Sequence, residues 1–237
     1  MNAVIGPRPL NALRWKLFGL QLRWHKQINQ RFDDRYGTDT AGETALVQAG
    51  VPADAAVAGN QIYRPLWEGL FHRIIRSFAP LGLERYHFVD LGSGKGKLLL
   101  LASRYAFRRI TGVEYSPVLH AAAQRNIEIF SAAVQSDRPV ESLHQDATTF
   151  EPVAGPCIAL VFNSFSDDIM ARVMARLGQA AGDRSDPLFL VYVNVRNVRE
   201  CPVALSGAPE LAPIVRRRNY IIMANRAGAA AWSRMAR

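Results

Sequence analysis

Apolar residues recur at two different periods along this chain. Leu10, Leu13, Leu17, Leu20, Trp24 and Ile28 are spaced by threes and fours, which places them on one face of a helix over 10–28. From Asp33 to Asn60 the period lapses. Gly37, Gly42, Gly50, Pro52 and Gly59 predict a loop there, with one short helix near Glu43–Gln48. Leu66, Leu70, Ile74 and Phe78 then predict a helix over 66–78, ended by Pro80 and Gly82. Beyond it the pattern changes to short continuous apolar runs separated by helical stretches. Strands are expected at 87–91, 110–114, 142–144, 157–163 and 188–194, and helices at 97–106, 117–134 and 167–181. Alternating apolar positions across 214–225 predict one or two antiparallel strands. Strands alternating with helices form βαβ units. The fold class is therefore α/β, a doubly wound and mostly parallel sheet over residues 61–237, preceded by an N-terminal helical extension and loop over 1–60.

Composition narrows the classes without choosing among them. About half of the 237 residues are apolar, enough to bury a sizeable core. Cys157 and Cys201 lie far apart and lack metal or disulfide spacing, which fits a reducing, cytoplasmic setting. No run of about eighteen apolar residues predicts a spanning helix, and Arg14 and Lys16 interrupt the first apolar stretch, which argues against a secretory signal. The five histidines show no metal-ligand spacing, so no metal site is expected. The formal charge is +9, and the excess lies at the two ends: seven basic residues against two acids over 1–36, and Arg216-Arg217-Arg218 near the other end. Basic ends suit an anionic partner such as nucleic acid, or a solvated surface. The amphipathic N-terminal helix suits packing on the domain or on a second copy of the chain, which would make an oligomer.

The segment Asp90-Leu91-Gly92-Ser93-Gly94-Lys95-Gly96-Lys97 carries the most chemistry. An apolar strand ends in an acid, and three alternating glycines precede a leucine-rich helix. In open α/β sheets, ligands bind beyond the carboxyl ends of the strands, and glycines let the backbone approach them. The spacing fails the phosphate-loop pattern, because Gly94-Lys95 is followed by Gly96 and preceded five places earlier by Val89. It also fails the dinucleotide pattern, because Lys97 stands where the third glycine belongs. The D-x-G-x-G-x-G that remains resembles motif I of the class I S-adenosylmethionine-dependent methyltransferases. That resemblance, over roughly residues 60–195, implies that Gly92, Ser93, Gly94 and Gly96 pack beneath the amino-acid part of S-adenosyl-L-methionine, with Asp90 near its ammonium. Glu114 ends the next strand 24 positions on, where an acid accepts both ribose hydroxyls, and Tyr115 follows it at the same rim. The resemblance also implies that Asp146 meets the adenine amino group and that the Ala147 amide faces the ring. It makes the expected sheet the seven-stranded one of that family.

The acceptor side is expected at Phe162-Asn163-Ser164-Phe165, after the fourth strand. Asn163 is suited to accept a hydrogen bond from an amine nucleophile while touching the cofactor, and Phe165 to wall the methyl pocket. This segment, with Tyr63-Arg64-Pro65 before its helix, is similar to the non-SET protein lysine methyltransferases, in which a Y-x-P segment closes over the cofactor. The resemblance implies methylation of a nitrogen nucleophile such as a protein lysine. A small-molecule methyltransferase and a non-catalytic module binding S-adenosylmethionine or nucleic acid are the alternatives. The [DN]-P-P-[YF] motif of adenine- and glutamine-methylating enzymes is only distantly similar, since both prolines are missing. Asn194, after the fifth strand, is a second polar candidate. Asp167 and Asp168 are expected to charge a helix start. Lys95 and Lys97 are expected in solvent, with contact to a substrate anion the alternative for Lys95.

Overall fold

The computed structural model describes Trp24 and residues 26–41, 44–45, 49–50, 62–63, 65–162, 164–182, 184–193 and 206–235. In chain order the elements are α1 (residues 26–36), β1 (Thr44–Ala45), β2 (Ile62–Tyr63), α2 (Glu68–Phe78), β3 (His87–Leu91), α3 (Lys97–Ala102), β4 (Arg109–Glu114), α4 (Pro117–Val134) and β5 (Val140–His144). They continue as β6 (Cys157–Phe162), α5 (Asp167–Gly182), β7 (Leu188–Val193), β8 (Ala212–Arg216), β9 (Tyr220–Ala224) and α6 (Arg226–Met235). The main sheet has seven strands in the order β5-β4-β3-β6-β7-β9-β8. The pairs from β5 through β7 are parallel, while β9 runs antiparallel to β7 and to β8. This is the doubly wound, mostly parallel sheet that the alternating elements implied.

Parallel strands covered on both faces are mainly apolar, and β3, β6 and β7 are buried from end to end apart from the half-buried Phe162, with His87 and Asp90 the polar exceptions in β3. One face carries α1 to α4 and α6, packed through Phe32, Phe71, Ile74, Phe78, Leu99 and Phe130. The opposite face carries α5, whose Met170, Val173, Met174 and Leu177 meet Ala159, Val161 and Leu190. Each such side chain contributes about 2 kcal/mol when fully buried. The order reverses between β3 and its two parallel neighbours, β4 and β6. In open sheets of this kind the switch point marks the crevice, beyond the carboxyl ends of the strands, where ligands are held.

Several expectations are corrected. Helix α1 runs through residue 36, where a loop was expected from Asp33. The Asp33 carboxylate explains the difference, because it accepts bonds from the Thr38 and Thr40 hydroxyls and from the Thr40 and Ala41 amides at 2.6–2.8 Å. It ties down the turn that follows the helix, in which Gly37 takes φ of 73°. The region of the expected helix near Glu43–Gln48 contains strand β1, paired antiparallel with β2. Helix α3 stops at Ala102, short of 106, and α6 was not anticipated. The apolar face proposed over 10–28 lies mostly outside the described residues.

Candidate functional site

The central strand delivers Asp90 to the crevice. Its side chain is 2% exposed, and no hydrogen-bond donor among the described residues reaches it. Burial, and then the nearby Glu114, raise its pKa to about 8. Glu114, at the end of β4, is also buried and is pushed upward by its burial. Unlike Asp90, it is held by backbone donors: its two oxygens accept from the Gly94 and Ser116 amides, each at 2.8 Å. One buried carboxylate thus organises the glycine turn, while the other is left without a counter-charge.

The turn itself requires glycine. Gly92, Gly94 and Gly96 have φ of 79°, 55° and 81°, a region costly for other residues. At Gly92 a Cβ would also lie 2.4 Å from the Cβ of Ser164 and 3.5 Å from Cζ of Phe165. The glycine turn and the segment after β6 therefore lie against each other, with Phe165 beside Gly92. Gly112 plays a part that motif reading missed. It lies beside Asp90 across the β3–β4 ladder, and a Cβ there would come within 2.8 Å of Ser93 and Leu99. The signal available in sequence was a lone glycine inside a strand.

Farther along the rim, Tyr115 is 48% exposed and free to cover a planar ligand. Asp146 opens a short turn, with its carboxylate accepting from the Thr148 amide at 2.8 Å, and Ala147 beside it is buried. His144 and His120 stack with centroids 5.5 Å apart, and His144 Nε2 lies 2.9 Å from the Tyr115 carbonyl. Among the described residues, no group of histidine, cysteine and acidic side chains is arranged to hold a metal ion. Asn163, Asn194 and the Tyr63 side chain lie outside the described residues. Backbone pairing puts Tyr63 opposite Thr44.

The two loop lysines are corrected from solvent-exposed to buried. Lys95 Nζ meets both oxygens of Asp39, at 3.0 and 3.1 Å. Lys97, 1% exposed, reaches Asn29 Oδ1 at 2.9 Å and Glu68 Oε1 at 3.0 Å, and its ammonium lies 4.3 Å from the centroid of the Phe32 ring. Asn126 of α4 completes the connection. It accepts from the Asp39 amide and donates to the Asp39 and Lys95 carbonyls. Ser116 donates to the Ala49 carbonyl. The segment before the sheet is thus bound to the glycine turn and to the start of α4, so the extension helps to build the crevice.

No family model matches the chain, and no curated relative does. Solved structures similar to it include magnesium protoporphyrin IX methyltransferase of Synechocystis PCC 6803 with bound SAM, at 14% identity and TM-score 0.49, covering 67% of this chain and 79% of that one. The methyltransferase domain of bacterial CtHen1-C has 13% identity and TM-score 0.49, with 67% and 97% covered. The 16S rRNA N2 G1207 methyltransferase of T. thermophilus has 20% identity and TM-score 0.47, with 67% of this chain and 42% of that one covered. These likenesses place no residue of the site.

Proposed function

We propose that the chain is an S-adenosylmethionine-dependent methyltransferase acting on a nitrogen nucleophile. The supporting observation is the Asp90–Glu114 pair beneath the glycine turn. A buried carboxylate without a donor, at the mouth of a crevice, is costly unless a cation or proton meets it. An amino-acid ammonium supplies that cation. Glu114 keeps lone pairs beyond its two amide bonds and can accept ribose hydroxyls from the same ligand. The rim beyond offers the Tyr115 ring as a cover for adenine, with Asp146 and the Ala147 amide for its edge.

S-adenosylmethionine supplies a methyl group on a sulfonium, open to in-line displacement. The protein's part is alignment and exclusion of water. Phe165, packed on Gly92, walls the side from which the acceptor comes. Asn163, by its place in the chain between Phe162 and Ser164, is assigned to accept a hydrogen bond from the acceptor amine and aim its lone pair. The resemblance of Tyr63-Arg64-Pro65 and Phe162–Phe165 implies a protein lysine, and of these residues the side chains of Tyr63, Arg64 and Asn163 lie outside the described residues. Calorimetric titration with S-adenosylmethionine and S-adenosylhomocysteine tests the reading. Micromolar binding of both is expected, and absence of binding to either would remove it. Replacing Asn163 by Ala is expected to lower turnover far more than cofactor affinity.

A further inference from the structure

The three consecutive arginines gain a position from the strand register. Phe162 pairs with Val193 at the carboxyl ends of parallel β6 and β7, and Val193 pairs with Tyr220 at the start of antiparallel β9. The β8–β9 turn, residues 217–219, therefore lies on the same edge of the sheet as the crevice. Arg216, at the end of β8 opposite Ile221, stands at the same level. With strands about 4.8 Å apart, β9 is two spacings from β6, so the turn begins about 10 Å from the acceptor segment. All three arginines are exposed. Their side chains form no ion pair among the described residues. Only Arg217 is engaged locally, through its amide to the Tyr220 carbonyl and its Nη1 to the Arg216 carbonyl.

Among the described residues, most acids on this edge are buried or partnered. Asp90 and Glu114 are buried, Asp39 pairs with Lys95, and Asp146 caps its turn. Asp167 and Asp168 begin α5, where the helix dipole favours them. A hairpin tip with three exposed arginines, none in an ion pair among the described residues, thus gives a cationic patch on the crevice edge of a chain of net charge +9. Guanidinium groups match phosphate oxygens bidentately. A cationic rim repels a lysine ammonium, so charge favours an acceptor nitrogen carried on a polyanion. The Watson–Crick-edge nitrogens of paired bases are taken up by pairing in a duplex, and a single strand presents them without unpairing.

We propose that the acceptor edge binds single-stranded nucleic acid, with Arg216, Arg217 and Arg218 on the phosphodiester backbone and a base nitrogen as the methyl acceptor. This rests on the methyl-transfer reading of the crevice but chooses the acceptor by charge. The test measures anisotropy of a labelled single-stranded RNA, and of DNA of the same sequence, against salt, for the wild-type chain and R216Q/R217Q/R218Q. Three lost phosphate contacts should reduce the slope of log affinity against log salt by about 2, and weaken binding roughly tenfold near physiological salt. R216K/R217K/R218K keeps the charge and should retain the slope, which separates charge from misfolding. Equal binding by the wild type and the Gln variant would overturn the proposal. So would wild-type affinity for polyglutamate matching that for both nucleic acids, or methylation of a lysine peptide with neither nucleic acid bound. S-adenosylhomocysteine binding is measured separately. If it is retained while nucleic-acid binding fails, the acceptor proposal falls alone; if it is absent, the cofactor reading falls.

Discussion

Asp90→Asn removes the buried charge while keeping the shape of the side chain, and its effect on stability has a calculable dependence on pH. Burial, with Glu114 nearby, holds the Asp90 carboxyl at about 8 instead of 3.8. The fold therefore favours the neutral acid, and this preference is worth at most about 6 kcal/mol. Its sign follows from proton binding. Between about pH 4 and pH 8 the folded state binds a proton that the unfolded state has released, so wild-type stability falls as pH rises through that window. Asparagine has no such proton. The advantage of the variant should grow by about 1.4 kcal/mol per pH unit, from about 2 kcal/mol near pH 5 to about 4 near pH 7, and level off above pH 8. Any fixed difference between an amide and a neutral acid shifts this curve without changing its slope.

Urea unfolding of both proteins from pH 5 to pH 9 measures that slope as a difference. The comparison is needed because His87 acts in the opposite direction. Its burial lowers its pKa to about 4, so it weakens the fold as pH falls from about 6.5. His87 is common to both proteins and cancels. A difference that stays flat from pH 5 to pH 8 would mean that Asp90 is ionised throughout, and would refute the claim that it lacks a counter-charge. The same proton couples to the ligand. If an ammonium replaces it, binding by the wild type releases a proton below pH 8, and affinity rises with pH by up to tenfold per unit. Calorimetry in buffers of different ionisation enthalpy detects the release, and Asp90→Asn should abolish it along with most of the affinity.

Three further substitutions test the packing that shapes the crevice. Gly112→Val should displace Ser93 and the glycine turn, reducing S-adenosylhomocysteine affinity at least tenfold by calorimetry; unchanged affinity would mean that the turn is not held by this contact. Lys97→Ala leaves Glu68 and Asn29 without their buried cation and should cost about 3 kcal/mol in urea unfolding, much of which K97M/E68Q should recover. Asn225→Ala should cost about 2 kcal/mol by the same assay, because its Oδ1 accepts from the Leu188 and Gly228 amides while its Nδ2 donates to the Asp186 carbonyl.

What the sequence disclosed and what it hid follow from the range of the interactions involved. Strands β3, β4, β6 and β7 were legible because each is a short, locally apolar run, and the glycine turn because its requirement is backbone geometry within seven residues. The buried lysines were not legible. Lys97 is separated by 68 residues from Asn29, and Lys95 by 56 from Asp39, so nothing near either lysine in sequence announces its partner. Helix α6 was missed because Trp232 is its one bulky apolar residue before Met235, so no apolar stripe marks the helix despite its alanines. It is anchored by Trp232 against Phe78 and Phe189 and by Asn225 at its start, contacts made only after the sheet has formed. The same distinction applies to the crevice. Its floor, Asp90 and Gly92 to Gly96, comes from one local stretch, whereas its rim is assembled from residues 36–41, Ala49, the start of α4 and the β8–β9 turn. Local chemistry could therefore suggest the cofactor and the segment after β6, but the position of Arg216 to Arg218 on the same edge became visible only through the strand register.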